Sequence, residues 1–190
     1  MVFESFTPVA AVPQTVVDQY GPLVPPGVVQ AWQTHGTGFV ADGYFRFVDP
    51  ARARQMLGTA GPLPGEAVVL FTTALADLVA WYRGMFLVAK CRLGQIHAAE
   101  VEFERLVSLM APDPSDRDVV WQWQPYPQAQ ARLGTPGFED CLMHVPMLGL
   151  GGRGEPEQMQ TGSLWVHVDL MTQMTGPPRF THMLPLPTES

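Results

Sequence analysis

The stretch FEDCLMHVPMLGLGGRGEPEQMQTGSLWVHVDLMTQM, residues 138–174, constrains this chain more than any other. It reads as an apolar strand, a glycine-rich turn and a short amphipathic helix. It holds no arranged set of nucleophile, base and metal ligands. That directs the reading away from catalysis and toward binding another protein.

The alternatives within this stretch fail on spacing. Gly149, Gly151 and Gly154 fit G-x-G-x-x-G after an apolar strand. A dinucleotide site also needs a βαβ unit, a helix opening at the motif and an acidic residue at a second strand. Here Glu155-Pro156-Glu157 places negative charge where a phosphate would sit, so the glycines read as a turn needing positive φ. Cys141 and His144 resemble a thiol–imidazole pair, but residues three apart on a strand point to opposite faces. His35, His97, His144, His167 and His182 form no H-x-H or H-E-x-x-H pattern, so a zinc site would need ligands from distant segments. His167 is expected to bond a neighbouring backbone or face water. No catalytic residue, cofactor site or metal site is therefore assigned.

Composition narrows the partner. The 190 residues are 46% hydrophobic and 15% charged, enough for a core and too apolar for disorder. The net charge of −7 opposes nucleic-acid binding, which needs a basic stripe, and suits a basic protein partner. Plain solubility would explain the same charge. No apolar run reaches the roughly 20 residues that cross a bilayer. The start, MVFESFTPVAAVPQ, lacks the basic and apolar regions of a signal peptide. Cys91 and Cys141 lie in apolar runs and read as buried thiols, so a reducing, cytoplasmic setting is expected.

The rest of the chain is punctuated by 19 prolines and 18 glycines. Pro13–Tyr20 predicts a helix, and a second follows Pro25-Pro26 and ends at Gly36. Gly38–Val40 and Tyr44–Val48 predict a hairpin about Asp42-Gly43. Asp49-Pro50 caps a helix to about Leu57. Gly58–Gly65 is turn chemistry and a candidate internal boundary. Ala67–Thr72, then Leu78–Tyr82 and Met85–Ala89 about Arg83-Gly84, then Gly94–His97, predict an antiparallel meander. Glu100–Met110 predicts a helix with Phe103, Leu106, Val107 and Met110 on one face. Pro112–Ser115 is read as a break, and Pro125 and Pro127 as disrupting the segment around Trp121 and Trp123, with a turn or two left to Gln128–Leu133. The tail from Gly176 is expected to be extended. The expected fold class is α+β, an antiparallel sheet with short flanking helices in two closely packed sub-lobes. The division is an N-terminal lobe over 1–60, a C-terminal lobe over 61–176 and a tail over 177–190.

Candidate partner contacts follow from charge and aromatics. Asp113, Asp116 and Asp118 form one acidic cluster, Glu155 and Glu157 a second, and Glu100, Glu102 and Glu104 a third. A solvated helix start explains the last equally well. Trp121 and Trp123 sit in a polar, proline-broken segment and are candidate interface anchors, with packing at the domain edge as the alternative.

Three stretches together resemble a known architecture. YGPLVPPGVVQAWQTHGTGFVADGYFRFVDP, residues 20–50, is similar to the GAD-like domain. TTALADLVAWYRGMFLVAKCRLGQI, residues 72–96, resembles the strand and hairpin of the domain usually fused after it. FEDCLMHVPMLGLGG with the helix bearing WVHVDL resembles the end of that second domain, the C-terminal domain of type VI secretion DNase immunity proteins. The chain departs from the family pattern at Leu75-Ala76 and Leu142-Met143-His144. The resemblance implies an α+β fold and neutralisation of a cognate toxin by direct binding; the acidic charge, for its part, suits a toxin with a basic active-site cleft. A non-catalytic interaction or regulatory module without a toxin is the alternative.

Overall fold

The computed structural model describes residues 3, 5–59, 61–110 and 114–184, with the side chains of 114–117 left out. Its first part runs β1 (Phe6–Ala10), α1 (Gln14–Tyr20), α2 (Pro26–His35), β2 (Thr37–Val40), β3 (Phe45–Phe47), α3 (Pro50–Leu57), β4 (Val68–Thr73), β5 (Leu78–Tyr82), β6 (Met85–Lys90) and β7 (Gln95–Ala99). Then come α4 (Phe103–Ser108), α5 (Pro114–Trp121), α6 (Pro125–Leu133), β8 (Asp140–His144), β9 (Met159–Ser163), α7 (Leu164–Thr175) and β10 (Arg179–Met183).

Strands β1 to β7 follow one another in a single sheet, each antiparallel to the next, and β10 closes it parallel to β7. Local chemistry sets the turns. Ala41, Asp42 and Gly43 all have positive φ between β2 and β3. Arg83 and Gly84, at φ 48° and 91°, make the two-residue connection of β5 and β6. Positive φ at both residues is what a type I′ hairpin requires. Asp49 Oδ1 accepts from the backbone N–H groups of Ala51 and Arg52 at 2.8 and 3.1 Å, and Pro50 opens α3.

Strand alternation sends side chains to two cores. On one face Phe45, Phe47, Leu70, Phe86 and Val88 pack with Trp32 of α2, Phe103 and Leu106 of α4, Trp121 of α5 and Tyr126 of α6. On the other, Leu78, Ala80, Leu87, Ala89 and Ile96 meet Ala53 of α3 and Leu164, Trp165, Val168 and Met171 of α7. Full burial of such side chains is worth about 1.5–3 kcal/mol each, so both helical layers are held mainly by the sheet.

Some expectations change. Segment 58–65 joins α3 to β4, and β3 and β4 are neighbours in the sheet, so cutting the chain at residue 60 would cut the sheet. Pro112–Ser115 does separate two helices, since α4 ends at Ser108 and α5 begins at Pro114, whereas Pro125, read as disrupting its segment, instead opens α6. The first turn of a helix has no intrahelical acceptor for its N–H groups, so proline costs nothing there, and Pro127 also falls within that turn. The start of the tail is more than extended chain: β10 joins the sheet, with Thr181 Oγ1 donating to Ile96 O at 3.2 Å.

Both edges of the sheet are blunted. Pro8 of β1 lacks an N–H group and precedes a register shift, and β10 shifts register between Phe180 and His182. Bulges and proline discourage edge-to-edge pairing.

Candidate partner-binding surface

The reactive side chains are buried and unmatched. Cys141 is in the core beneath α7, and burial pushes its thiol up to about 12. Cys91 is likewise buried and raised by burial. His144 is 5% exposed, and among the described residues neither ring nitrogen has a hydrogen-bond partner. Its pKa is lowered by burial and then by Arg92. His167, expected at the surface or on a backbone group, is instead buried on the inner side of α7. Burial, followed by His144, lowers it to about 4. Among the described residues no three His, Cys, Asp or Glu side chains group as metal ligands.

Two buried cations tie the chain together. Arg92 Nε donates to Asp77 Oδ2 at 3.0 Å, and Arg92 Nη2 donates to the carbonyls of Trp121 and Gln122 at 3.1 and 2.9 Å. Burial raises the Asp77 carboxyl, and the Arg92 charge opposes that shift. Arg46 is fully buried; its Nη2 donates to the carbonyls of Pro136, Gly137 and Asp140 at 3.2, 3.3 and 3.2 Å. Burial lowers it to about 10. Both side chains join the meander to the C-terminal helices and the β8–β9 hairpin. Each is spent on carbonyls of the fold, which makes them structural.

The surface is more informative. Helix α7 buries Leu164, Trp165, Val168 and Met171. Its opposite side shows Val166, Asp169, Leu170, Gln173 and Met174, at i, i+3, i+4, i+7 and i+8. Val166, Leu170 and Met174 are 57%, 43% and 54% exposed. Three exposed apolar residues thus share that side with the hydrogen-bonded pair Asp169 and Gln173. The turn after β8 adds Val145 and Leu150, also exposed. That turn abuts the C-terminal end of α7: a Cβ on Gly149 would lie 2.7 Å from Thr175 Cγ2. Gly152 is pressed against Pro146 O, where a Cβ would come within 2.1 Å, and its N–H donates to Met147 O at 3.1 Å. The glycine-rich segment is thus a tight turn that holds apolar residues beside α7.

The expected contact residues separate. Trp121 is 2% exposed, its Nε1 donates to Leu109 O at 2.7 Å, and its ring meets Phe45 edge-on at 4.8 Å. It is a core residue and not a surface anchor. Trp123 is half-buried and packs against Tyr44 and Tyr126. Asp118 is half-buried and accepts from Gln124 N at 3.3 Å, bracing the α5–α6 turn. Asp113 lies outside the described residues, as does the side chain of Asp116. Glu155 and Glu157 are exposed, and Glu157 accepts a hydrogen bond from Gln128 of α6. The α7 stripe was missed, although its spacing is visible in Val166, Leu170 and Met174.

Comparison with known proteins agrees with this division of labour. Residues 2–92 match the GAD-like domain, and residues 102–175 match the family described as T6SS immunity protein Tdi1, C-terminal. The first match spans β1 to β6 and the second spans α4 to α7, with β7 falling between them. The fold is similar to the crystal structure of Atu4351 from Agrobacterium tumefaciens, with a TM-score of 0.74 at 16% identity over 95% of this chain and 89% of that one. No match is found among the curated proteins.

Proposed function

We propose that this chain, a GAD-like domain followed by a Tdi1-type immunity C-terminal domain, is an immunity protein that neutralises a cognate toxin by binding at or near its active site. The observation that carries the reading is α7. It lies within the immunity-family match and presents Val166, Leu170 and Met174 outward on a helix whose other side is already buried. A covered apolar stripe supplies the water-free centre that tight complexes use.

Charge supplies the approach. A net charge of −7, with Glu155 and Glu157 exposed, favours a toxin with a basic cleft, as an enzyme acting on a phosphorylated substrate has. The chain itself performs no chemistry in this reading. None of its described helices is long and apolar enough to cross a membrane, and the proposed site of action is the cytoplasm.

Co-expression with the co-encoded toxin tests the proposal. The wild-type chain restores growth, and a Val166→Asp/Leu170→Asp variant that folds normally does not. Association slows as salt rises, because surface charge acts on the encounter rate. A chain that neither binds nor protects against any neighbouring toxin fits an interaction module without a toxin, and overturns the immunity reading.

A further inference from the structure

Lys90, the last residue of β6, is 2% exposed, yet among the described residues its ammonium makes no hydrogen bond and no ion pair. A buried charge is ordinarily paired. The carboxylates nearest in charge are engaged elsewhere. Asp77 Oδ2 accepts from Arg92 Nε at 3.0 Å, and Asp118 Oδ1 accepts from Gln124 N at 3.3 Å. Burial lowers the Lys90 pKa, and Asp77 opposes that shift. His97 of β7 is 3% exposed, and its Nε2 is buried without a hydrogen-bond partner among the described residues. Lys90 stands opposite Gln95 and Val88 opposite His97, so Lys90 and His97 share one face of the sheet as diagonal neighbours. Long side chains reach across that spacing.

Strand β10 brings a third group to the same place. The register shift between Phe180 and His182 sets His182 opposite His97, and the two rings meet edge-on with centroids 4.5 Å apart. Bulges re-aim side chains in this way beside binding sites. Thr181 and His182 are exposed, so the cluster borders solvent along β10. The hydrogen-bond roles follow. Thr181 Oγ1 donates to Ile96 O at 3.2 Å and lies 3.5 Å from His97 Nδ1. The one hydroxyl proton is spent on Ile96, so Thr181 Oγ1 accepts from Nδ1–H, and Nε2 of the neutral ring is left as an acceptor. Burial, then Lys90, then His182 lower His97 to about 4, which keeps the ring neutral near pH 7.

We propose that Lys90, His97 and His182 form a binding site for a phosphate ion. One phosphate oxygen accepts from the Lys90 ammonium and a protonated one donates to His97 Nε2, while His182 meets the outer oxygens at the mouth. The two unpartnered groups ask for a ligand that is an anion and also a donor. Near neutral pH phosphate keeps at least one proton, whereas a carboxylate or sulfate offers acceptors alone. A metal ion would sit beside the Lys90 charge, and among the described residues no three side chains group as its ligands. The depth of Lys90 and His97 selects the free ion over a phosphate carried on a nucleotide. This site does not depend on the immunity reading.

The test is titration of inorganic phosphate into the full chain near neutral pH, followed by NMR of the histidine rings. The His97 and His182 signals move together and saturably, and sulfate at equal ionic strength leaves them in place. Lys90→Met keeps the stem, removes the charge and weakens phosphate binding about tenfold or more. Circular dichroism checks its fold. His182→Ala, at an exposed position, weakens binding severalfold and is the safeguard should Lys90→Met misfold. Rings that do not respond to phosphate, rings that respond equally to sulfate, or a folded Lys90→Met that binds phosphate as well as the wild type would each overturn the site.

Discussion

The Arg92 guanidinium meets the Asp77 carboxylate at 3.0 Å with both side chains almost fully buried. Asp77 precedes β5, Arg92 follows β6, and the same guanidinium reaches the carbonyl of Trp121, the last residue of α5, and that of Gln122 just after it. One ion pair therefore closes the meander and holds a C-terminal helix by its negative end. Removing one partner leaves a buried charge without a counter-ion. Arg92→Ala or Asp77→Ala should each lower unfolding stability by about 3–5 kcal/mol, whereas Asp77→Leu/Arg92→Met should cost much less. Urea unfolding of the three variants measures this. Single variants as stable as the wild type would show that the pair does not hold the fold.

Stability should fall in mild acid through His167. Its imidazole is lowered from 6.5 to about 4 in the folded chain, by burial and then by His144. The unfolded chain therefore takes up the proton first as pH falls. The contribution is complete above the ordinary histidine range and is lost as pH drops from 6.5 toward about 4. Within that window the slope is about 1.4 kcal/mol per pH unit for this group. His167→Leu should remove that part of the slope in urea titrations across the window. A variant with the wild-type slope would place the pH dependence elsewhere.

A chain ending at Gly176 lacks β10 and bares the edge of β7. The lost contacts include Arg179 N to Gly94 O at 3.0 Å and Leu184 N to Ala98 O at 2.7 Å. Free edges template pairing between chains. Light scattering should show concentration-dependent association of the truncated protein and none of the full chain. A monomeric truncation would mean that β10 does not guard the sheet.

The glycine-rich turn separates two kinds of glycine. Gly151 has φ 88° with open space around it, so Gly151→Ala meets backbone strain alone, about 1–2 kcal/mol. A Cβ on Gly152 would instead meet the Pro146 carbonyl at 2.1 Å, so Gly152→Ala must displace backbone. Thermal unfolding should rank Gly152→Ala below Gly151→Ala, and calorimetry with NAD or ATP should show no heat for either or for the wild type. Saturable nucleotide binding lost in Gly151→Ala would restore a phosphate-binding role.

What was legible in the sequence was local. Asp42-Gly43, Arg83-Gly84 and Asp49-Pro50 set two hairpins and a helix start by chemistry that needs no distant partner. Short apolar runs punctuated by turns, from β4 to β7, made the meander legible for the same reason. Pro125 was misread because a proline that opens a helix and one that breaks it look alike without the helix boundary. β10 was read only as extended chain, since its ladder partner β7 is far away in sequence. Trp121 drew attention through its polar neighbours, while the carbonyl that satisfies its indole belongs to Leu109, just past the end of α4 and twelve residues earlier. The outward stripe on α7 was written in its spacing, yet only the packed fold shows which apolar side is left over.

The central claim is that the exposed side of α7 is buried by a toxin. Its most direct measurement is the affinity of the purified chain for the co-encoded toxin, wild type against Val166→Asp/Leu170→Asp, with thermal unfolding as the control for folding. The account predicts tight binding by the wild type, a loss of about 100-fold or more in the double variant and an unchanged unfolding temperature, since a centrally buried anchor costs about 2 kcal/mol or more when lost. A double variant that unfolds normally and binds the toxin as tightly as the wild type would contradict it.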